Sequence, residues 1–583
     1  MVGRWSVRVA VLATWLVLSN TPGLALYVDE GQNFQLRLRT YSRFSVRTED
    51  SDRGATNPST QMGQMVEHRN FYNPEFEGKL TPYLPDWLGI FKPDDLSFRV
   101  AAWGFYDGIY DYGPRQFHDA ARRTNAGWPQ PLRQGAFFLE GPSFRARERG
   151  SIPLAEYFPG AEVQNPRDIY GTRRRLNELY LNFSKGPLFL RIGKQAISWG
   201  ESDTVALLDQ NNPFDLTLAV PGLFQDVDEA RIPLWTIRTS LTLFDTLGPL
   251  SSGFIEAYWV PGDLDVNTGI LPLLGVSPYS PPGKDPQQVL RDQLGDAYNI
   301  LPVQFVLQDL VPKKRFESSR FGFRLQTVVG RLFTVSGWYY KTYPSSPVPL
   351  GQGLKRTTEG PQIFVTQTIH NRRVDVFGLG NTFFFEPIDS IIRMQLTYFQ
   401  NEPAFIPEEN LGIRRGIDPL GVLNACNNEK CKVPEADFLR WELGMDRFFF
   451  FRPLNPANSF LWITAIVGSW NLDETSRKDF RFNGQQKAAA AGTSPDDFVQ
   501  LKKVELFAQT HLQTDYMHGR LSPGITIIAN VRGTHAVNPT ITYRMFDWLI
   551  FDLAYYYIGG EFQQLGFFRD RDQVSARVTY QLN

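Results

Sequence analysis

Residues 179–200 read LYLNFSKGPLFLRIGKQAISWG. Leu179, Leu181 and Phe183 alternate with Tyr180 and Asn182 before a Ser-Lys-Gly-Pro turn. Leu188, Leu190 and Ile192 alternate with polar residues after it, among them Arg191 and Gln195. A period of two with one apolar face is a strand with one polar side. Two such runs about this Ser-Lys-Gly-Pro turn predict an antiparallel hairpin, with Leu179 facing Ile192, Leu181 facing Leu190 and Phe183 facing Leu188. What the apolar face touches, protein core or lipid, decides the fold. Lys194 falls on that apolar face, which calls for a bulge at Gly193 or a snorkelling side chain.

The whole chain narrows the choice. It has 583 residues, a formal net charge of −1, 14% aromatic residues and 21% charged residues. A near-neutral charge gives no bulk attraction to nucleic acid, so no nucleic-acid partner is expected. Arg4 and Arg8 precede an apolar run from Val9 to Leu18, followed by Pro22, Gly23 and Ala25. This is the pattern of a secretory signal peptide over residues 1–25, with the mature chain starting near Leu26. No later run of apolar residues is long enough for a membrane-spanning helix. An exported chain of this kind is either a soluble protein or a β-barrel.

Alternation continues to the end of the sequence. Phe34, Leu36 and Leu38 oppose Gln35, Arg37 and Arg39; Trp235, Ile237 and Leu241 oppose Arg238 and Ser240; Phe321, Phe323 and Leu325 oppose Arg324 and Gln326. Ile392, Met394 and Leu396 oppose Arg393 and Gln395, and Val574, Ala576 and Val578 oppose Ser575 and Arg577. Further hairpins are expected to set Trp235 opposite Trp259 and to pair Met545 with Leu549, Tyr543 with Phe551 and Ile541 with Leu553. Short turns and long connections alternate, the long ones near 108–172, 200–230, 261–317, 344–368, 401–434 and 471–497. Loop lengths sorted in this way, with aromatic residues at strand ends, predict an all-β transmembrane fold. That fold is an antiparallel outer-membrane β-barrel of about 16–18 strands over residues 26–583, with long extracellular loops. Its expected place is the outer membrane of a Gram-negative bacterium. Its expected partners are membrane lipid, a small-molecule solute and the barrel-insertion machinery.

In such a barrel the polar faces point inward. Arg37, Arg39, Arg191, Arg238, Glu256, Arg324, Arg393 and Arg577 are therefore the candidate pore-lining residues, and their excess of arginine favours anions. After Trp199, Gly200 and Glu201 the period of two is lost. The segment at about 200–230 is read as an inward loop, carrying Asp203, Asp209, Asp215, Asp226, Asp228 and Glu229. Two readings of these acids stand, a solvated loop or a carboxylate site for a cation. Residues 285–310 fit a short helix within a loop. Cys426 and Cys431 enclose Asn-Asn-Glu-Lys in an exported context, which predicts a local disulfide and no metal site. None of the hydrolase, zinc-protease or phosphate-loop motifs is present, so neither an enzyme nor a cofactor is expected.

The stretches LFLRIGKQAISWGES, NNPFDLT and EARIPLWTIRTSLTLFDTLGPLSSGFIEAYWVPGD resemble a large proteobacterial family known as a domain of unknown function. Its members are regarded as porin-like outer-membrane barrels. The resemblance is most specific over about 170–265, and Trp199, Gly200 and Glu201 match its most recognisable motif. It implies a channel for diffusion of small organic solutes, hydrophobic or aromatic ones included. Two rival functions remain: export of an acidic polysaccharide through an arginine-lined lumen, and a plugged barrel serving as a surface or assembly scaffold. The sequence closes Tyr580-Gln581-Leu582-Asn583 instead of on an aromatic residue. Either the insertion machinery reads Tyr580 and Leu582, or insertion follows a less standard route.

Overall fold

A computed structural model describes residues 26–51, 60–117, 128–129, 136–138, 163–164, 170–200, 211–270, 277–279, 303–310, 312–330, 332–344, 348–356, 363–403, 435–473, 503–531, 533–560 and 564–582. Eighteen long antiparallel strands form a closed barrel. In chain order they are β1 (Phe34–Arg47), β2 (Met65–Lys79), β3 (Asp95–Asp107), β4 (Thr172–Lys185), β5 (Leu188–Gln195) and β6 (Leu234–Leu247). Then come β7 (Leu250–Val260), β8 (Arg320–Val329), β9 (Phe333–Thr342), β10 (Val374–Phe385), β11 (Ser390–Pro403) and β12 (Glu435–Phe449). The last six are β13 (Phe460–Asn471), β14 (Val504–Thr514), β15 (Leu521–Asn530), β16 (His535–Phe546), β17 (Leu549–Gly559) and β18 (Gln573–Leu582). Each strand pairs with its sequence neighbours, and β18 pairs with β1 from Leu38↔Leu582 to Arg47↔Gln573. Where β18 stops, Leu26 and Tyr27 take up the same edge of β1, opposite Leu36 and Gln35.

Inner and outer faces alternate as the period of two requires. Outward side chains such as Phe323, Leu325, Leu379, Ile466 and Leu553 remain exposed, Leu379 to 61%. Inward ones such as Tyr41, Trp103, Tyr258, Tyr340 and Phe399 are buried. A closed sheet leaves no unpaired edge, and its apolar outer belt needs lipid around it. The chain is thus a barrel of the outer membrane, and lipid is the partner of the apolar face of residues 179–192.

The hairpin registers differ from expectation by two residues at two places. The β4–β5 turn is only Gly186-Pro187, with Gly186 at φ 51°, so Leu181 faces Ile192 and Leu179 faces Lys194. Trp259 faces Ile237, while Trp235 pairs with Lys194 across β5. A shift of two keeps every side chain on its face, so the pattern of apolar residues cannot detect it. At β16–β17 the expected pairs Tyr543↔Phe551 and Ile541↔Leu553 are present, but an irregularity replaces Met545↔Leu549 by Phe546↔Leu549. Lys194 stays on the outward face, and the pairing runs through Gly193 with no register shift, so no bulge forms.

The connections at one end are turns, among them Gly186-Pro187, Glu386–Asp389 and Asp547-Trp548. The opposite end carries the long connections. Four strands drawn from three of these form a separate sheet: Ala136–Phe138, Val303–Leu310, Val348–Arg356 and Ile363–His370. Val303–Leu310 runs parallel to Ile363–His370. This strand replaces the C-terminal part of the helix expected at 285–310. The run VQFVLQDL is rich in β-branched and large apolar residues, which suit a strand better than a helix. The signal peptide, Glu201 and the Cys426–Cys431 pair lie outside the described residues.

Candidate functional site: an inward segment on a charged wall

The chain leaves β5 at Gln195 and enters β6 at Leu234, and the described residues between them, 196–200 and 211–233, lie on the inner face. Asn212 clamps the two legs of this excursion. Its Oδ1 accepts from the Ile197 N–H at 2.7 Å and its Nδ2 donates to the Ile232 carbonyl at 2.9 Å. Trp199 is buried against Tyr258 and Tyr340, with ring centroids 5.1 and 6.4 Å away. A buried indole N–H needs an acceptor. It donates to Glu256 Oε1 at 2.5 Å. The same carboxylate receives Arg238 Nε at 2.9 Å and Nη2 at 3.1 Å, and Arg324 Nη2 at 3.3 Å. One acid on β7 therefore holds an arginine from each neighbouring strand and the leg of the inward segment.

Beyond Asn212 the segment runs along the inner wall. Asp215 is buried and bonded to Arg173 and to Thr217 Oγ1. Leu218 packs on Tyr41, Phe71, Trp103 and Phe105 of β1–β3. Ala219, Leu223 and Phe224 reach Ile528, Ala536 and Ile558 of β15–β17, on the far side of the barrel from β6. Phe224 lies 5.2 Å from Tyr279 and 5.3 Å from Tyr556, measured between ring centroids. One helical turn, Val227–Ala230, is capped by Asp226, whose Oδ1 accepts the Asp228 N–H at 3.1 Å. Glu229, within this turn, accepts from Tyr41 Oη at 2.9 Å. Arg39 sits 3.6 Å from Glu229 and 3.8 Å from Asp226. Arg175 donates to the carbonyls of Glu229 and Arg231 at 3.2 and 3.0 Å, its guanidinium 4.1 Å from the Trp103 ring centre. A stacked arginine that feeds two backbone carbonyls satisfies groups that a loop inside a barrel would otherwise leave unpaired.

A second inward contact lies beside the first. Arg47 and Arg571 donate to the Pro278 carbonyl at 3.0 and 2.6 Å, and Tyr279 Oη donates to Glu67 at 3.3 Å. Glu67 also takes Arg43 at 2.6 Å and lies 3.2 Å from Arg69.

The eight expected pore residues all fall on the inner face, but they do not form one cluster. Arg238, Glu256 and Arg324 meet under Trp199, as described. Arg37 lies 3.6 Å from Glu77, and Arg39 belongs to the Glu229 contact. Arg393 bonds Asp446 at 2.7 Å and Arg577 bonds Asp552 at 2.9 Å. Arg191 lies over the Tyr180 ring at 4.1 Å and donates to Asn182 Oδ1 at 2.7 Å. The arginine excess is thus largely matched by carboxylates. Asp215 and Glu229 are only 1% and 8% exposed, so they are not solvated loop acids. They hold the segment to the wall through Arg173, Tyr41 and Arg39, and no group of three metal-ligating side chains occurs among the described residues. Sequence reasoning gave Tyr41, Glu67, Arg69, Trp103, Arg173 and Arg175 no role at a site. Glu67 and Arg69 share a strand face with the period of two, and that was the available signal.

The family model described as "Protein of unknown function (DUF1302)" matches residues 5–582. Among solved structures, Acinetobacter baumannii OccAB1 aligns at 10% identity and a TM-score of 0.39, covering 96% of this chain and 98% of that one. Pseudomonas aeruginosa OccD3 (OpdP) aligns at 9% identity and 0.38, covering 96% and 92%. The Escherichia coli carbohydrate-binding barrel Wzi, involved in group 1 capsule assembly, aligns at 8% identity and 0.37, covering 93% and 83%. No curated protein matches.

Proposed function

The chain belongs to the DUF1302 family, and from that premise together with the barrel's inner geometry we propose that it is a porin-like diffusion channel for small organic solutes. The observation that carries this reading is the inward segment. A barrel of this strand number is wide enough for an aqueous lumen. Residues 196–200 and 211–232 follow its inner wall from β7 past β4 and β1–β3 to β15–β17, and a segment laid along the wall in this way narrows the lumen as a selective channel requires. We assign the lining of the route to Arg37, Arg39, Arg191, Arg238, Glu256, Arg324, Arg393 and Arg577. Because most of these charges are paired, the channel discriminates by shape more than by sign. The export of an acidic polysaccharide would call for a stripe of unmatched arginines, which this pairing does not favour.

One further reading has an observation in its favour. The same inward docking is what a plugged scaffold would need. Conductance of the purified protein in planar bilayers separates the two. A channel gives discrete steps, and Leu218→Asp, which forces a charge into the docking contact, increases them. A silent wild-type barrel overturns the channel and leaves the scaffold.

A further inference from the structure

Most connections at the short-turn end are tight, but β2 and β3 are joined by residues 80–94. This connection is folded. The Leu80 N–H donates to the Leu96 carbonyl at 2.7 Å, and Thr81 Oγ1 accepts the Leu96 N–H at 2.7 Å. A 3-10 turn, Thr81–Tyr83, follows, then a 3-10 stretch over Asp86–Phe91 broken by a kink at Gly89, and Lys92 Nζ closes back on Asp86 at 2.8 Å. The direction of the excursion is fixed by Tyr83. Its ring stacks on Phe34, with centroids 5.6 Å apart and planes 26° apart. Phe34 belongs to the outer, lipid-facing side of β1, where it meets Phe76 at 6.1 Å and Phe98 at 6.3 Å. The connection therefore turns outward over the apolar belt, away from the lumen.

Its crest is apolar. Trp87 is 82% exposed, Ile90 80% and Phe91 76%, within a hydrogen-bonded turn that leaves most of their surface uncovered. Exposed large side chains of this kind are costly in water, and a contiguous set marks an interaction surface. The set continues the belt at the level where strands give way to turns, which is the bilayer interface. Tryptophan with aliphatic neighbours is the composition that settles at the boundary between headgroups and acyl chains. We propose that Trp87, Ile90 and Phe91 form an interfacial anchor inserted into the phospholipid of the periplasmic leaflet. It fixes the depth of the barrel on the β2–β3 side.

The test uses the full chain in vesicles of phosphatidylethanolamine and phosphatidylglycerol, with no other protein present. Trp87→Cys in a Cys426→Ser, Cys431→Ser background is labelled with a nitrobenzoxadiazole. The expected result is blue-shifted emission, quenched by phospholipid carrying a nitroxide at the headgroup and protected from aqueous iodide. An independent readout without a label is the difference between wild-type and Trp87→Phe fluorescence, which brominated phospholipid should diminish. Water-like emission, with iodide quenching and no effect of brominated lipid on the difference spectrum, overturns the proposal. So does a blue shift that appears only on adding a periplasmic extract, which would assign the crest to a protein partner.

Discussion

Glu256 ties three separate parts of the architecture together. It accepts from Trp199, Arg238 and Arg324 at once. Removing one partner of a buried ion pair strands the others, at a cost of about 3–5 kcal/mol. Glu256→Gln should therefore lower the temperature at which the folded band is lost on semi-native gels, and shift the reversal potential toward anions as two arginines lose their counter-charge. Glu49 offers a different handle. It lies outside the strands, at the long-loop rim, and accepts the Asp572 N–H at 2.9 Å. Burial, reinforced by Asp572 and Asp570, pushes its carboxyl from 4.5 up to about 7. A folded value above the unfolded one makes its contribution complete below about 4.5 and lost as pH rises through about 7. Hydrogen exchange of the 564–572 segment, corrected for intrinsic rate, should quicken across that window, and Glu49→Gln should flatten the response. These roles were invisible in the sequence for a physical reason. Glu256 is one acid on one strand face, and only closure of the sheet reveals which arginines share it.

Strands were legible where their environment imposed a rule, and registers only in part: Tyr543↔Phe551 and Ile541↔Leu553 are as expected, while two other hairpins are offset by two residues. Lipid outside and polar groups inside force the alternation seen in Leu188, Leu190 and Ile192, so faces were readable along the barrel. Nothing in that alternation distinguishes Leu181 opposite Leu190 from Leu181 opposite Ile192. The turn decides, and Gly186 at φ 51° made it shorter than Ser-Lys-Gly-Pro implied. The inward segment was visible only as lost periodicity, because its order comes from Arg173, Arg175 and Tyr41 on strands far from it in sequence. A strand-level prediction follows at β16. Pro539 has no N–H for the ladder, and Asn538 Nδ2 donates to the Tyr555 carbonyl at 2.8 Å in its stead. Asn538→Ala should cost about 1 kcal/mol, measured as a lower urea midpoint for unfolding from lipid vesicles. Asn538→Gln, with a longer reach, should recover little of it.

For the whole molecule, the lipid belt should behave as a solvent boundary. Leu379 is 61% exposed on β10 and faces outward. Leu379→Arg should cost about 2–4 kcal/mol in vesicle-refolding titrations, as a charge near the bilayer midplane does. The barrel, its loop polarity and its membrane were all readable from the sequence, since they follow from composition repeated over many strands. The seam has a consequence in time. β1 is made first, yet its neighbour on one side is β18: Ser45 and Ser575, with hydroxyls in contact, stand 530 residues apart. Such a distant pairing is slow to form, and until it does the first strand keeps one raw edge. A chain halted before β18 would hold that edge open, so the last ten residues of the barrel set the moment at which everything before them becomes safe from aggregation.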